Sequence, residues 1–405
     1  MQTKLSRGPL PQPLHDEAES ILRSCVHCGF CTATCPTYQL LGNELDSPRG
    51  RIYLIKQMFE GQPVSRETQT HLDRCLSCRN CETTCPSGVQ YSRLLDLGRE
   101  HIEHHVPRPM GQRLQRHLLR RIVPHTEKFS RALRIGRRLG PLLPARLRQK
   151  LPAEQNSGDW PKATHPRRML LLSGCVQQAT RDQTNRAMAR LLDAQGISLQ
   201  ALSSGVCCGA VNHHAGDTEQ AKIQAKHNID LIFAQLQQGA EAVLVSASGC
   251  GSMIKEYGRL LQYDSDYVEK AAIVSDHCKD LCQVLDMTSL GDKLDPGGQR
   301  IAFQSPCSLQ HGQKLAGRVE QLLSQAGFIL LPVENGHTCC GSAGSYSLLQ
   351  PELSQQLLHN KLQSLQRPQP EAIVTANIGC ELHLASQATI PVIHWIDLLA
   401  RQLRP

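Results

Sequence analysis

The sequence predicts an α/β chain with an all-α N-terminal part. A helical region built around two Cys-rich loops comes first, and a duplicated α/β Cys-rich region follows it. Three observations predict this. A C-x2-C-x2-C-x3-C-P run occurs at Cys25-Cys28-Cys31-Cys35-Pro36 and again, fifty positions later, at Cys75-Cys78-Cys81-Cys85-Pro86. A Cys-Cys-Gly signature occurs at Cys207-Cys208-Gly209 and at Cys339-Cys340-Gly341, each 32 positions after an earlier cysteine, Cys175 or Cys307. From residue 167 onward, short apolar runs alternate with helical periodicity, the pattern of parallel α/β units.

The first repeat carries the clearest chemistry. Its spacing is that of a bacterial two-cluster ferredoxin. Three thiolates on one tight loop reach three corners of a cubane cluster. The fourth points away, the proline turns the chain, and in this arrangement the fourth cysteine serves the other cluster. The expectation is one [4Fe-4S] cluster on Cys25, Cys28, Cys31 and Cys85, and a second on Cys75, Cys78, Cys81 and Cys35. Structural zinc is the alternative for paired cysteines, but four ligands suffice for zinc. It has no use for a third C-x2-C step or for the proline.

Composition sets the frame. The 405 residues allow two or three domains, and 18 of them are cysteine. The segment from Met1 to Asp16 is polar and proline-rich, with no apolar signal core, so the thiols read as metal ligands of a reducing cytoplasm rather than as disulfides. No run of 18 apolar residues occurs, and the expectation is that nothing spans a membrane. Aromatic residues make up 4% of the chain and are not interleaved with basic ones, which argues against single-stranded nucleic acid as a partner.

Taken in order, Leu14 to Ser24 places Ala18, Ile21 and Leu22 on a helical spacing that leads into the first Cys loop. Between the loops, Ser47 is a fitting N-cap with Pro48 at the first helical position, and Ile52, Ile55, Met58 and Phe59 form one helical face. Arg49 and Arg51 there read either as donors to cluster sulfurs or a partner, or as ordinary surface arginines. From Arg108 to Lys150 the chain carries thirteen Lys or Arg and one acid, Glu127, on two amphipathic helices parted near Pro124. This stretch reads as a platform for anionic lipid or an acidic partner, or as a solvated face on connecting helices. A turn-rich linker over residues 151–166 closes it.

The second half repeats itself. Strands are expected at Met169–Leu172, Ile197–Leu199 and Ala242–Val245, and again at Ile301–Phe303, Phe328–Leu331 and Ala372–Thr375. Each copy holds four cysteines: Cys175, Cys207, Cys208 and Cys250 in the first, Cys307, Cys339, Cys340 and Cys380 in the second. Sitting just past strand ends, where parallel sheets place their sites, they are candidates for a further metal or Fe–S centre, one per copy or one shared. The alternative is a set of buried small side chains. Cys278 and Cys282, four apart, read as structural residues of a helix, and His213, His214, His311, His383 and His394 read as surface or satisfied core histidines. The expected domains are 1–107 for the two-cluster region, 108–166 for the basic connector and linker, 167–287 for the first Cys-Cys-Gly module and 288–405 for the second. No strand-borne G-x-G-x-x-G or other flavin fingerprint is present. The chain therefore reads as an electron conduit with no catalytic residue of its own.

The combination resembles a known family: the iron–sulfur subunits of anaerobic glycerol-3-phosphate dehydrogenase, of lactate-utilisation complexes and of glycolate oxidase, with the B subunit of heterodisulfide reductase as a more distant relative. It is most similar to the glycolate oxidase iron–sulfur subunits, through the run from Cys25 to Gly42, the run from Ser47 to Gln57 and Thr375-Ala376-Asn377-Ile378-Gly379-Cys380. The resemblance implies FAD-binding partner subunits that oxidise glycolate to glyoxylate, with FAD on those partners only. It also implies electron delivery to a quinone or other acceptor, and a cytoplasmic chain held peripherally on the inner face of the inner membrane. Lactate or glycerol-3-phosphate complexes on the same architecture are the neighbouring readings. In the heterodisulfide reductase relatives each module closes with C-x-x-C around a noncubane cluster. Here Ala247 precedes Cys250 and Asn377 precedes Cys380 where that first cysteine would stand, which speaks against a thiol–disulfide enzyme.

Overall fold

A computed structural model describes residues 1–405 apart from Lys4, 6–9, 141–157, Ser204, 296–297 and Pro405. The basic residues Arg146, Arg148 and Lys150, part of the 151–166 linker and the Pro296-Gly297 turn between the two copies lie outside the described residues.

The N-terminal part is helical because its apolar residues recur at helical spacing and its caps are in place. Ser47 accepts the Gly50 amide at 2.9 Å with Pro48 at the first turn, so the helix Pro48–Phe59 starts where the sequence places it. Its Ile52, Ile55, Met58 and Phe59 are buried against the helices Gln12–Ser24, Arg66–Asp73 and Tyr91–His105 in one core that also takes in Cys25, Cys75 and Cys81. Gly98 allows the tightest crossing: a Cβ there would lie 2.8 Å from Ile55 Cγ1.

Two amphipathic helices, Met110–Ile122 and Thr126–Arg138, then cross over the molecule on either side of Pro124. Their cations divide by face. Arg108 and Arg116 are buried on Asp73, and Arg120 reaches Glu103 and the Ala215 carbonyl. Arg113, Arg121, Lys128, Arg131, Arg134 and Arg138 are exposed, beside exposed Met110, Leu114, Leu118 and Ile135.

Each copy of the second half is a four-stranded parallel sheet. The first holds β1 (Arg167–Leu171), β2 (Ile197–Ala201), β3 (Val243–Val245) and β4 (Cys278–Asp280) in the order β2-β1-β3-β4. The second holds β5 (Arg300–Gln304), β6 (Ile329–Leu330), β7 (Ala372–Thr375) and β8 (Val392–His394) in the matching order β6-β5-β7-β8. Identical order in both sheets is the structural form of the sequence repeat. Pairings such as Leu170 with Val243 and Ile301 with Ala372 set the register.

Both strand faces are apolar, as a parallel sheet covered on both sides requires. Met169 and Leu171 face a core that both modules share with Ile301, Phe303, Val374 and Trp395, whereas Leu170 and Leu172 face a core private to the first module. The shared core makes the two modules one body.

The strands β4 and β8 were not foreseen, and with three residues each they are too short to show a period. Cys278 and Cys282, expected on a helix, lie on β4 and on the single turn Leu281–Gln283 after it. Asp280 fixes that turn by accepting the Cys282 amide at 3.1 Å. Both cysteines are buried core residues, in keeping with the structural role expected of them.

Candidate metal centres

The eight cysteines of the N-terminal repeat gather into two cavities. Cys25, Cys28, Cys31 and Cys85 line the first, together with Val26, Phe30, Arg49 and Pro86, around about 440 Å³ of non-atom space open at one side. Cys35, Cys75, Cys78 and Cys81 line the second, with Thr37, Arg51 and Tyr91, around about 300 Å³. Each group is three cysteines from one loop plus the fourth from the other, the exchange the spacing predicts. Cys81 also touches the wall of the first cavity, so the two sites share a partition. The short helices Phe30–Ala33 and Asn80–Thr84, which carry the loops, pack against each other, and Thr34 and Thr84 hydrogen-bond across at 3.1 Å.

The electrostatics suit a cationic inorganic core. Burial first, and then neighbouring thiols, pushes Cys31 up to about 11 and Cys78 and Cys81 well above the ordinary thiol range. Left alone, such thiols keep their protons. A bound metal core turns them into thiolates. Donors already face the sulfurs: the Ser77 amide and the Tyr91 hydroxyl each lie 3.5 Å from Cys75 Sγ. Four thiolates around one zinc ion stand about 3.8 Å apart, from a Zn–S bond of about 2.3 Å. Among the described residues no three cysteines have sulfurs mutually within 4.8 Å; the one trio of ligand atoms that close is Asp96, His213 and His214. No trio of cysteine sulfurs among the described residues is therefore preset at zinc spacing.

Arg51 was legible in sequence only as one of two alternatives. It is fully buried, donating from Nε to the His71 carbonyl at 2.7 Å and from its terminal nitrogens to Thr37 Oγ1 at 3.1 Å, with Asp46 at 3.4 Å. Thr37 Oγ1 in turn lies 3.3 Å from Cys35 Sγ, so Arg51 forms part of the second site's wall. Arg49 instead pairs with Glu44 at 2.7 Å on the half-exposed rim of the first site.

Eight of the ten cysteines of the second half share one large cavity. Cys175, Cys207, Cys208, Cys250, Cys307, Cys339, Cys340 and Cys380 all line it, and so do Cys75 and Cys78 from the second N-terminal loop. The inner faces of the two basic helices roof it with Leu119, Val123 and Phe129. All eight cysteines follow the carboxyl ends of strands, at the switch point where the chain order reverses between β1 and β3 and between β5 and β7. Cys175 Sγ lies 3.5 Å from Cys207 Sγ, and Cys340 Sγ lies 3.2 Å from Cys380 Sγ. Each Cys-Cys-Gly needs its glycine. Gly209 and Gly341 have φ of +93° and +87°, and a Cβ on Gly341 would sit 2.7 Å from the Ser354 carbonyl oxygen.

Asn377, which stands where the distant relatives place a cysteine, bonds across the module boundary. Its Oδ1 accepts the Gly249 amide at 3.1 Å, and its Nδ2 lies 3.7 Å from Cys380 Sγ. Four of the histidines singled out earlier each have one ring nitrogen engaged, while the buried Nδ1 of His213 and Nε2 of His311 and His394 have no hydrogen-bond partner among the described residues. His213 pairs with Asp96 at 3.2 Å, His311 meets Thr83, His383 meets Ser354 and His394 caps the last helix. His214 faces the large cavity.

Comparison with known proteins fits this geometry. A 4Fe-4S dicluster domain model matches residues 21–89, and a cysteine-rich domain model matches 169–255 and again 301–385. The chain is 50% identical to the glycolate oxidase iron–sulfur subunit of Escherichia coli (strain K12), over 100% of this chain and 99% of that one. The chain belongs to the glycolate oxidase iron–sulfur subunit family. A probable member from Bacillus subtilis (strain 168) is 32% identical over 95% of this chain and 94% of its own. Lactate utilization protein A of Geobacillus sp. (strain WCH70) is 26% identical and matches 56% of this chain, so the family pattern extends over the whole chain where the lactate pattern does not. Membership makes this an iron–sulfur subunit with Cys-rich modules, and the fold agrees: a helical iron–sulfur part, then two parallel α/β modules.

Proposed function

We propose that this chain is the electron-transfer subunit of a glycolate dehydrogenase complex. In this reading FAD-bearing partner subunits oxidise glycolate to glyoxylate, and this chain carries the electrons away, one at a time, toward a quinone or another acceptor. The single observation that carries it is full-length identity of 50% with a glycolate oxidase iron–sulfur subunit. Two [4Fe-4S] clusters held by Cys25, Cys28, Cys31 and Cys85 and by Cys75, Cys78, Cys81 and Cys35 would supply the one-electron steps. The chain's own residues then hold the route. Exposed Cys28, Val26 and Phe30 give the first site an outer rim for a donor, and Arg51 and Tyr91 wall the second site from solvent. The second site abuts the large cavity through Cys75 and Cys78, which supports an inward order.

The exposed basic face of the two crossover helices, with Met110, Leu114 and Leu118 among its cations, suits attachment to the inner face of an anionic membrane. Among the described residues no helix is long and apolar enough to cross one.

The test is glycolate:quinone activity of the purified complex, with and without this chain. The reading requires that removal abolish quinone reduction and leave glycolate-dependent bleaching of the flavin intact. Full activity without the chain would sink it. Higher turnover on lactate or glycerol-3-phosphate would move the chain to a sister complex of the same architecture.

A further inference from the structure

The two Cys-Cys-Gly modules match strand for strand, yet they differ in buried charge. Behind each signature glycine runs a long helix, Thr218–Gln237 in module 1 and Pro351–Gln366 in module 2. The residues nearest the two glycines, Ala221 and Ser354, are equivalent, because each presents its backbone oxygen to the place a glycine Cβ would take. Seven positions further along stand Asn228 and Lys361.

Asn228 is neutral, fully buried and satisfied. Its Oδ1 accepts the Val206 amide at 3.1 Å, and its Nδ2 donates to the Cys207 carbonyl at 3.2 Å and to Tyr257 Oη at 3.3 Å. Lys361 is equally buried, at 1% exposure, but its Nζ meets only backbone oxygens, Gly336 at 2.9 Å and Asn335 at 3.4 Å. Among the described residues no carboxylate pairs with it. An ammonium held in the interior without a counter-charge is costly, and such groups persist where an anion compensates them. Burial pulls Lys361 below the ordinary lysine range. Its helix neighbours Leu358 and Leu362 pack in one cluster with Cys340 and Cys380. No such cation lies at the matched place in module 1.

A second difference points the same way. Cys339 and Cys307 pack in one apolar cluster with Leu76 and Cys78 of the second N-terminal loop. The cysteines of module 1 belong to a cluster made of module 1 residues alone.

We propose that Cys307, Cys339, Cys340 and Cys380 hold an anionic iron–thiolate centre for which Lys361 is the counter-cation, and that module 2 is the electron's next stop after the second N-terminal site. Module 1, with Asn228 in the matched place, holds no such centre. The proposal rests on the electron-conduit reading above and adds the site and its direction. The step moves one electron and no atom: the reduced second centre loses it and the module 2 centre gains it. The fixed positive charge of Lys361 stabilises the more negative, reduced form and so favours inward transfer.

The experiment is anaerobic iron and sulfide analysis with EPR-monitored redox titration of the full chain, in wild type, Cys339→Ser, Cys207→Ser, Lys361→Met and Lys361→Arg. Wild type is expected to hold more than the about eight irons of two cubanes and to show a third signal. Cys339→Ser should lose that iron and that signal, and Cys207→Ser should keep both. Lys361→Met should lower the reduced-to-oxidised ratio of the third centre about tenfold at a fixed potential, a shift of about 59 mV for one electron. Lys361→Arg should restore it. Should Lys361→Met not accumulate, Lys361→Gln keeps a donor to the two carbonyls and reads the same shift. No iron beyond two cubanes, loss of the third signal in Cys207→Ser but not Cys339→Ser, or an unmoved potential without the lysine charge would each overturn the proposal. Absence of the two cubane signals in wild type would instead overturn the conduit reading itself.

Discussion

The two N-terminal sites are built from the same twelve-residue motif, yet the chain treats them as opposites. The first, on Cys25, Cys28, Cys31 and Cys85, opens outward. Cys28 is exposed, Val26 and Phe30 beside it are 65% and 60% exposed, and its arginine, Arg49, sits on the rim. The second, on Cys75, Cys78, Cys81 and Cys35, is walled in. Arg51 is buried in its wall, Leu76 packs on Cys339 and Tyr346, and the Tyr346 hydroxyl donates to the Arg74 carbonyl at 3.0 Å. Loops of identical cysteine spacing thus gain different surroundings from what packs around them. Under the proposed function, the outer one would receive an electron and the inner one would pass it on.

The strongest way to break this comparison is to remove one site at a time. Cys28→Ser should abolish the first centre, leave the second centre's EPR signal intact and cut glycolate-driven quinone reduction at least about a hundredfold. That loss corresponds to about 2.7 kcal/mol on the barrier. Cys81→Ser, on the partition between the cavities, should disturb both signals. If Cys28→Ser left the steady-state rate unchanged, the outer site would not be the point of entry.

Much of this was legible in the sequence, and the reasons for the rest are physical. The expected exchange of the fourth cysteine between loops rests on local spacing, and each cavity is lined by the four cysteines assigned to it. The duplicated sheet was legible because short apolar runs alternate with helical stretches twice over, in step with the repeated cysteine spacing. The joining of eight of the ten later cysteines in one cavity with Cys75 and Cys78 was not legible, since it depends on contacts between residues hundreds of positions apart. Lys361 was invisible for a different reason. One lysine in an amphipathic helix ordinarily faces water, and only the packing of Gly341 against Ser354 turns that helix so that the lysine points inward.

A smaller effect separates the two arginines. Arg51→Met leaves Asp46 buried with His71 and Arg74 as its remaining partners, and should cost about 3 kcal/mol of stability in denaturant titration. It should also make the second centre harder to reduce. A loss near zero would mean that His71 and Arg74 fully compensate Asp46, and the inner wall would not depend on Arg51.

The bonds that tie the two modules together should respond to pH. Arg181 of the first module bonds Glu381 of the second at 3.0 Å, and Thr184 bonds Asp397 at 2.8 Å. Burial pushes Glu381 up to about 7 and Asp397 up to about 6. A carboxyl raised in the folded state stabilises fully below its unfolded value, 4.5 for Glu381, and that stability fades as pH climbs through about 7. Between pH 5.5 and 7.5 the unfolding free energy from urea titration should therefore fall, by on the order of 2 kcal/mol. Glu381→Gln should flatten the dependence. An unchanged slope in Glu381→Gln would assign it to another group.

The smallest expected effect lies at the outer rim, and its smallness is informative. Arg49 and Glu44 form a 2.7 Å pair with side chains 34% and 44% exposed, and such pairs contribute about 0–1 kcal/mol. Arg49→Gln should change the unfolding free energy by no more than that, in contrast to Arg51→Met two residues away. The guanidinium nevertheless lies against Gly29 in the first Cys loop, where a Cβ would come 2.9 Å from Nη1. Its charge thus stands at the mouth through which a donor would approach. Removing it should change the salt dependence of flavoprotein-to-chain electron transfer in stopped-flow measurements more than it changes stability, because rim charges act on encounter rates. Equal salt dependence in wild type and Arg49→Gln would move the docking face away from this rim while leaving the inner site's enclosure untouched.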